Sequence, residues 1–278
     1  MAEGIPKVSS ENVLVSLPPD LPHVIVITMN RTATMNAMTP ELRDDIGKVM
    51  DYFENEPSLW VAIITGAGRA FSVGMDLGAW LKDQSSGQLT NYNDVKSPGQ
   101  GIGSISKRRS KKPIIAAVNG YAVGGGFEMV LNCDLVVASS GAKFGYPEAT
   151  RGVTVAAGGL PRLVRVAGHQ LAAELLFTGR IIGAEEARDR FRFINAVVPA
   201  DQVMPTALQF AKVITANSPD AVQSSKTGII CAEQEGGLDA AAGAHVDSGE
   251  TERMFTGENI SVGERVRRKI PTTLTISD

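Results

Sequence analysis

Cysteine is scarce in this chain: there are two, Cys133 and Cys231, far apart in the sequence. Two scattered thiols exclude a disulfide-stapled scaffold and fit an intracellular protein with free cysteines. Long apolar runs are also missing. None reaches the roughly 20 residues that a membrane-spanning helix needs. Met1 to Pro6 shows no charged-then-apolar signal pattern, and Thr275-Ile276-Ser277-Asp278 is not a Ser-Lys-Leu address, so a cytoplasmic location is expected. The three histidines, His23, His169 and His245, have no metal-ligand spacing around them, and no metal site is expected. A net charge of −3 gives no global signal for a polyanionic partner. There is no Ser-His-Asp elbow, no Walker loop and no paired-cysteine motif.

What is present is an ordinary globular composition, 43% apolar and 21% charged over 278 residues. That suits one large domain, or a core domain with a smaller appendage. Val24–Met29 is a β-branched run and reads as a strand, as do 60–65, 113–118 and 135–138. Thr39 is placed as the N-cap of a helix with Pro40 in its first turn. Leu42, Ile46, Val49, Met50 and Phe53 follow at helical spacing. Residues 83–104 are rich in Ser, Gly, Asn and Gln and read as a loop or lid. Helical patterns take over after about residue 160, at 170–177, 184–189, 203–216 and 219–234. Strand, crossover helix, strand is the rhythm of a parallel α/β sheet. A core over 1–199 and a helical region over 200–278, divided near Pro199, is the expected organisation.

The 29 glycines cluster where chemistry could sit. Two glycine-bearing turns follow strands, one over 66–76 and one over 120–128. A strand that hands over to a helix through glycine leaves unpaired N–H groups at the helix start. Two such turns side by side can aim two donors at one oxygen, the geometry of an oxyanion hole. Equally, glycine can serve only to let helix and strand touch. Glu128 is the one charge in an apolar stretch, so burial would raise its pKa into the range useful for proton transfer. Glu148 follows Pro147 in what reads as the first turn of a helix. For each carboxylate the plain alternative is complementation of a helix dipole. Lys107-Arg108-Arg109-Ser110-Lys111-Lys112 is a basic run. It reads as a solvated surface, or as a site for an anionic cofactor or RNA. Arg265, Arg267, Arg268 and Lys269 form a second basic cluster.

In order along the chain, several segments resemble one known family, the crotonase superfamily of enoyl-CoA hydratases and isomerases. They are Met29-Asn30-Arg31 with Met35-Asn36-Ala37-Met38, and Ala70-Phe71-Ser72-Val73-Gly74-Met75-Asp76-Leu77. The central block runs from Lys112-Pro113 through Gly124-Gly125-Gly126-Phe127-Glu128. Lys143-Phe144-Gly145-Tyr146-Pro147-Glu148, Gly158-Gly159 with Arg162-Leu163, and Phe177-Thr178-Gly179-Arg180 complete it. The resemblance covers about residues 12–262 and is nearest to fungal hydratases and carnitinyl-CoA dehydratase-like members. It implies an α/β spiral of repeated ββα units with a helical C-terminal trimerisation region. It implies water addition or removal across C2–C3 of an acyl-CoA thioester, with Glu128 and Glu148 as the acid/base pair. Met75 and Gly125 are the implied oxyanion donors, and Ala37, Asp76, Leu77, Trp80, Tyr146 and Gly124 the implied substrate contacts. Coenzyme A enters as part of the substrate, and no bound cofactor is expected. A homotrimer or dimer of trimers is expected, with no nucleic-acid or membrane partner. A double-bond isomerase using one of the two carboxylates, and a non-enzymatic RNA- or partner-binding homologue, are the alternatives. Three departures from the family pattern stand out. Thr32 replaces the usual proline after Asn30-Arg31, Val155-Ala156 stands where Pro-Gly is common, and the C-terminal stretch reads Gly263-Glu264-Arg265-Val266-Arg267-Arg268.

Overall fold

The computed structural model describes residues 4–76, 78 and 99–256, which form two compact units, Met1–Thr215 and Ala216–Asp278. The expectations placed on Leu77, Trp80, residues 83–98 and the Arg265–Lys269 cluster lie outside the described residues.

The first unit is organised by a six-stranded sheet. Its strands are β1 (Val13–Ser16), β2 (Val24–Met29), β3 (Val61–Gly66), β5 (Ile114–Val118), β7 (Leu135–Ser139) and β10 (Ala196–Val198), in that spatial order. Only β1 is antiparallel to its neighbour; β2, β3, β5, β7 and β10 run parallel. Parallel sheets are covered on both faces, so their strands read as continuous Val, Ile and Ala runs rather than alternating ones. The two-residue period then sorts each strand between two cores. Ile25, Ile27, Ala62, Ile64 and Ala116 face the larger core. Val24, Val26, Val61, Ile63, Ile115 and Ala117 face the smaller one, which is closed by Val203, Ala207 and Ala211.

The larger face is covered by helix α1 (Pro40–Asn55). Thr39 caps it, its hydroxyl accepting from the Leu42 N–H at 3.3 Å, and Pro40 occupies the first turn where a missing N–H costs nothing. Leu42, Ile46, Val49, Met50 and Phe53 form its buried face. At the other end the Lys112 ammonium donates to the carbonyls of Phe53 at 2.8 Å and Glu56 at 2.7 Å. This occupies carbonyls that a helix C-terminus otherwise leaves unsatisfied. Arg108, also buried, pairs with Asp51 at 2.7 Å. The basic run over 107–112 is therefore not a solvated strip. Two of its cations bind α1, while Arg109 and Lys111 are exposed.

A second, four-stranded sheet is made of β4 (Ala70–Ser72), β6 (Tyr121–Val123), β8 (Lys143–Gly145) and β9 (Ile181–Gly183). Each long strand β3, β5 and β7 is followed by a short one in this sheet, and β5–β6 and β7–β8 continue into helical segments. Those segments are α2 (Gly125–Val130) and a 3₁₀ turn (Pro147–Arg151). This repeated ββα step is the α/β spiral that the resemblance implied. Helices α3 (Gly159–Ala167), α4 (His169–Thr178), α5 (Ala184–Asp189) and α6 (Val203–Thr215) also belong to this unit.

The second unit contains α7 (Pro219–Gln234), α8 (Leu238–Val246) and α9 (Gly249–Thr256), with α7 packed against both others. Ser218 caps α7 by accepting from the Ala221 N–H. Its buried side chains are polar. Ser224 bonds His245 at 3.1 Å and Thr251 at 2.8 Å.

Candidate active site

The two glycine turns meet. Met38 and Met75 form an isolated parallel bridge, in which the Met38 N–H donates to Gly74 O and Met38 O accepts from the Asp76 N–H. In that pattern Met75 turns its own N–H to the opposite edge. Gly125 is the first residue of α2, where an N–H has no acceptor within the helix. A side chain on Gly74, which has φ +80, would meet Gly125 N at 2.6 Å. A side chain on Gly125 would lie 3.4 Å from Gly74 Cα. The absent Cβ atoms thus let the two backbones touch, which brings the Met75 and Gly125 segments together. Arg31 braces this turn. Its guanidinium donates to Ala37 O at 2.5 Å and lies 3.6 Å from the Asp76 carboxylate.

Glu128 lies one turn into α2 and is 3% exposed. Its Oε1 accepts from the N–H groups of Ala157 at 2.9 Å and Gly159 at 3.0 Å. Burial pushes its carboxyl up from the usual 4.5 to about 7, against the pull of these two donors and of Lys107; the Glu148 charge adds to the rise. The 157–159 segment is itself latched. Ser106 Oγ donates to Ala157 O at 2.6 Å, and Arg162 donates to Ser106 O at 3.2 Å and Gly158 O at 3.1 Å. Of the departure at 155–156, Val155 is buried and Ala156 exposed, while the adjoining Ala157 carries one of the two donors to Glu128. Ser106, Arg162, Ala157 and Gly159 have no catalytic signature in sequence. The trace they leave is the segment Gly158-Gly159 with Arg162-Leu163 that carries part of the resemblance.

Glu148 sits in the first turn of the Pro147–Arg151 segment. It reaches the same place because β6 and β8 pair in parallel, Val123 opposite Gly145, with the Gly124 N–H donating to Gly145 O at 3.0 Å. The chain leaving each strand end then carries one carboxylate. Gly124, with φ +55, is glycine for a steric reason too: a Cβ there would stand 2.6 Å from Glu148 Oε1. Burial raises the Glu148 carboxyl, with backbone hydrogen bonding and Arg151 opposing. Its Oε2 is buried with no hydrogen-bond partner among the described residues.

Tyr146 is fully buried, its ring 4.8 Å from that of Phe127. Its hydroxyl lies against Gly159 beside Glu128 and also has no partner among the described residues. Of the residues expected in the site, the structure thus draws together Glu128, Glu148, Gly124 and Tyr146. Gly125 and Met75 are joined through Gly74, and Ala37 and Asp76 through Arg31.

Comparison with known proteins bears on this arrangement. The family model for enoyl-CoA hydratase/isomerase matches residues 22–258. A mevalonyl-coenzyme A hydratase of Aspergillus fumigatus is 42% identical over 252 residues, covering 91% of this chain and 90% of that one. A short-chain-enoyl-CoA hydratase of Clostridium acetobutylicum is 37% identical over 211 residues, 74% of this chain and 77% of that one. The crystal structure of an enoyl-CoA hydratase from Mycobacterium tuberculosis superposes with a TM-score of 0.81 at 32% identity, covering 93% of this chain and 96% of that one. Motif, fold and family model agree over nearly the same residues, and this chain belongs to the enoyl-CoA hydratase/isomerase family.

Proposed function

We propose that this protein adds water to, or removes it from, the C2–C3 bond of an acyl-CoA thioester. The observation that carries this reading is the convergence of Glu128 and Glu148, both with raised pKa, on one site beside the Gly74–Gly125 contact. In the hydration direction the ionised Glu128 takes a proton from water as the water oxygen bonds C3. The π electrons move toward the thioester oxygen, where the Met75 and Gly125 N–H groups receive the developing negative charge. The neutral Glu148 carboxyl gives its proton to C2. The reverse sequence is dehydration. Glu128 is assigned the base because two N–H donors fix its Oε1 and support its charged form. Burial raises both carboxyls, so the second role falls to Glu148 on geometry: its Oε2 has no partner among the described residues and is placed to present a proton.

Both carboxylates are required by this scheme, which favours it over an isomerase that needs one. The burial of Arg108 and Lys112 against α1 leaves little of the basic run for RNA. The 42% identity to a mevalonyl-coenzyme A hydratase makes mevalonyl-CoA the first dehydration substrate to try. Coenzyme A is part of the substrate in this reading, and no other cofactor is invoked. A homotrimer or dimer of trimers is part of the proposal. It is supported by apolar side chains exposed on the second unit, with Leu238 at 90% and Val246 at 66%.

The test is turnover of a panel of 2-enoyl-CoA and 3-hydroxyacyl-CoA thioesters, mevalonyl-CoA among them, followed by the conjugated enoyl-thioester absorbance. Turnover that disappears in both Glu128→Gln and Glu148→Gln supports the reading. Full activity in either variant removes it.

A further inference from the structure

A buried polar atom with no partner is costly, and natural proteins keep few of them. This site keeps two, Tyr146 Oη and Glu148 Oε2, two positions apart in the chain. Tyr146 is the more telling. Phenylalanine would fill the same ring space, tilted against Phe127 at 4.8 Å, without burying an unsatisfied hydroxyl.

The hydroxyl lies beside the Glu128 side chain. A single carbon placed on Gly159 would collide with Tyr146 Oη, and it would also stand 2.6 Å from Glu128 Cγ and 2.9 Å from Glu128 Cα. Phenol and carboxylate side chain therefore flank one small gap, and glycine at 159 keeps that gap clear. The groups facing it come from several elements. Glu128 lies on α2, Glu148 in the turn after β8 and Arg162 on α3, and all three act electrostatically on Tyr146. Lys107 acts on Glu128 and Arg151 on Glu148. Burial holds the phenol well above its ordinary range, so it keeps its proton and is a donor throughout turnover.

We propose that Tyr146 is a positioning residue for Glu128, its hydroxyl donating a hydrogen bond to the Glu128 carboxylate when that carboxylate is charged. The hydroxyl has no partner among the described residues. It is engaged when Glu128 gives up its proton, adding a side-chain donor to the two N–H groups on Oε1. The inference deepens the hydratase reading by naming a group that tunes the base through a contact made in one protonation state.

The test is Tyr146→Phe, read in two ways. The first is the ionisation of Glu128 without substrate, followed by difference infrared spectroscopy of its carboxyl stretch and identified by the band lost in Glu128→Gln. Removing a donor to the charged form raises the pKa, and the expected rise is about one pH unit, a tenfold change in the ionisation constant. The second is the acid limb of the kcat/KM profile, expected to move up by the same amount. The melting temperature at pH 5 is expected to be equal to or above that of the parent, since an unsatisfied hydroxyl has been removed. A Glu128 titration unchanged in Tyr146→Phe overturns the inference and leaves Tyr146 a packing residue. Because the infrared titration needs no turnover, a protein inactive on every thioester but showing the shifted titration would remove the hydratase reading and keep this one.

Discussion

The Glu128 carboxylate accepts from the peptide N–H of Gly159 at 3.0 Å, across a separation of 31 residues. The start of α3 is thereby brought onto the side wall of α2. This one contact fixes an oxygen of the proposed base, moderates the effect of its burial and forbids a side chain at 159. Much of what can be tested about the site follows from it.

Glu128→Gln and Glu148→Gln are each expected to lower kcat by roughly 10²–10⁴, the usual worth of a positioned acid or base. Affinity for a CoA thioester should stay within a few-fold of the parent, because neither carboxylate is assigned to hold the CoA moiety. Steady-state kinetics with calorimetric binding of a non-reacting acyl-CoA checks both halves. A loss in KM alone would contradict the assignment.

Stability should depend on pH through Glu128. Its folded-state pKa is raised, from 4.5 to about 7, so the folded protein holds this proton more tightly than the unfolded chain does. For a raised carboxyl the stabilisation is complete below pH 4.5 and is lost as pH climbs to about 7. The difference in melting temperature between the parent and Glu128→Gln should therefore change between those two values and be flat on either side. A difference constant across the range would show that the burial does not perturb Glu128.

Gly159→Ala should damage both fold and activity. The new methyl would stand 2.6 Å from Glu128 Cγ and 2.9 Å from its Cα, the latter part of a helix backbone that cannot turn aside. Overpacking of this kind costs about 1–3 kcal/mol. Chemical denaturation measures it, and kcat should fall by at least about tenfold because the displaced group carries the carboxylate. Activity equal to the parent would mean that the 159 segment yields without moving Glu128.

Lys112→Met separates structure from catalysis. It removes the donor to Phe53 O, whose i+4 residue is Pro57 with no N–H to give, and leaving a buried carbonyl unsatisfied costs about 1–3 kcal/mol. Urea denaturation should show that loss, while kcat and KM of the folded enzyme should be unchanged. A variant of parental stability would mean that the ammonium makes no net contribution to α1.

Parts of this architecture were legible from residue order. The strands at 24–29, 61–66, 114–118 and 135–139 are continuous β-branched and alanine runs because the sheet is buried on both faces, and such runs need no partner to be recognised. Helix α1 announces itself through Thr39, Pro40 and its apolar spacing. Helices α5 and α7 begin and end where the pattern places them. The second sheet was not legible, because three-residue strands such as Ala70–Ser72 and Lys143–Gly145 carry no period. Helix α3 was hidden too. It opens on Gly159-Leu160-Pro161 and buries only Gly159 and Leu163, too few residues for a stripe. The basic run misled in part. Charge in sequence suggests a solvated face, and only the position of α1 turns Arg108 and Lys112 inward.

The order of residues by itself determined the chemistry available: two carboxylates twenty positions apart, each in an apolar setting, and two glycine turns that leave N–H groups without helical acceptors. Side-chain type and local backbone need suffice for those, since a lone charge in an apolar stretch and a glycine-led helix start are read from neighbouring residues. Tertiary structure alone decided that these pieces share one site. The β6–β8 register carries Glu148 alongside Gly124, the Gly74–Gly125 contact joins the two turns, and the 157–159 segment arrives from 29 and 31 residues away to hold Glu128. Parallel strands in this sheet are joined by long crossovers, so neighbours in space are distant in the chain and leave no periodic mark in it.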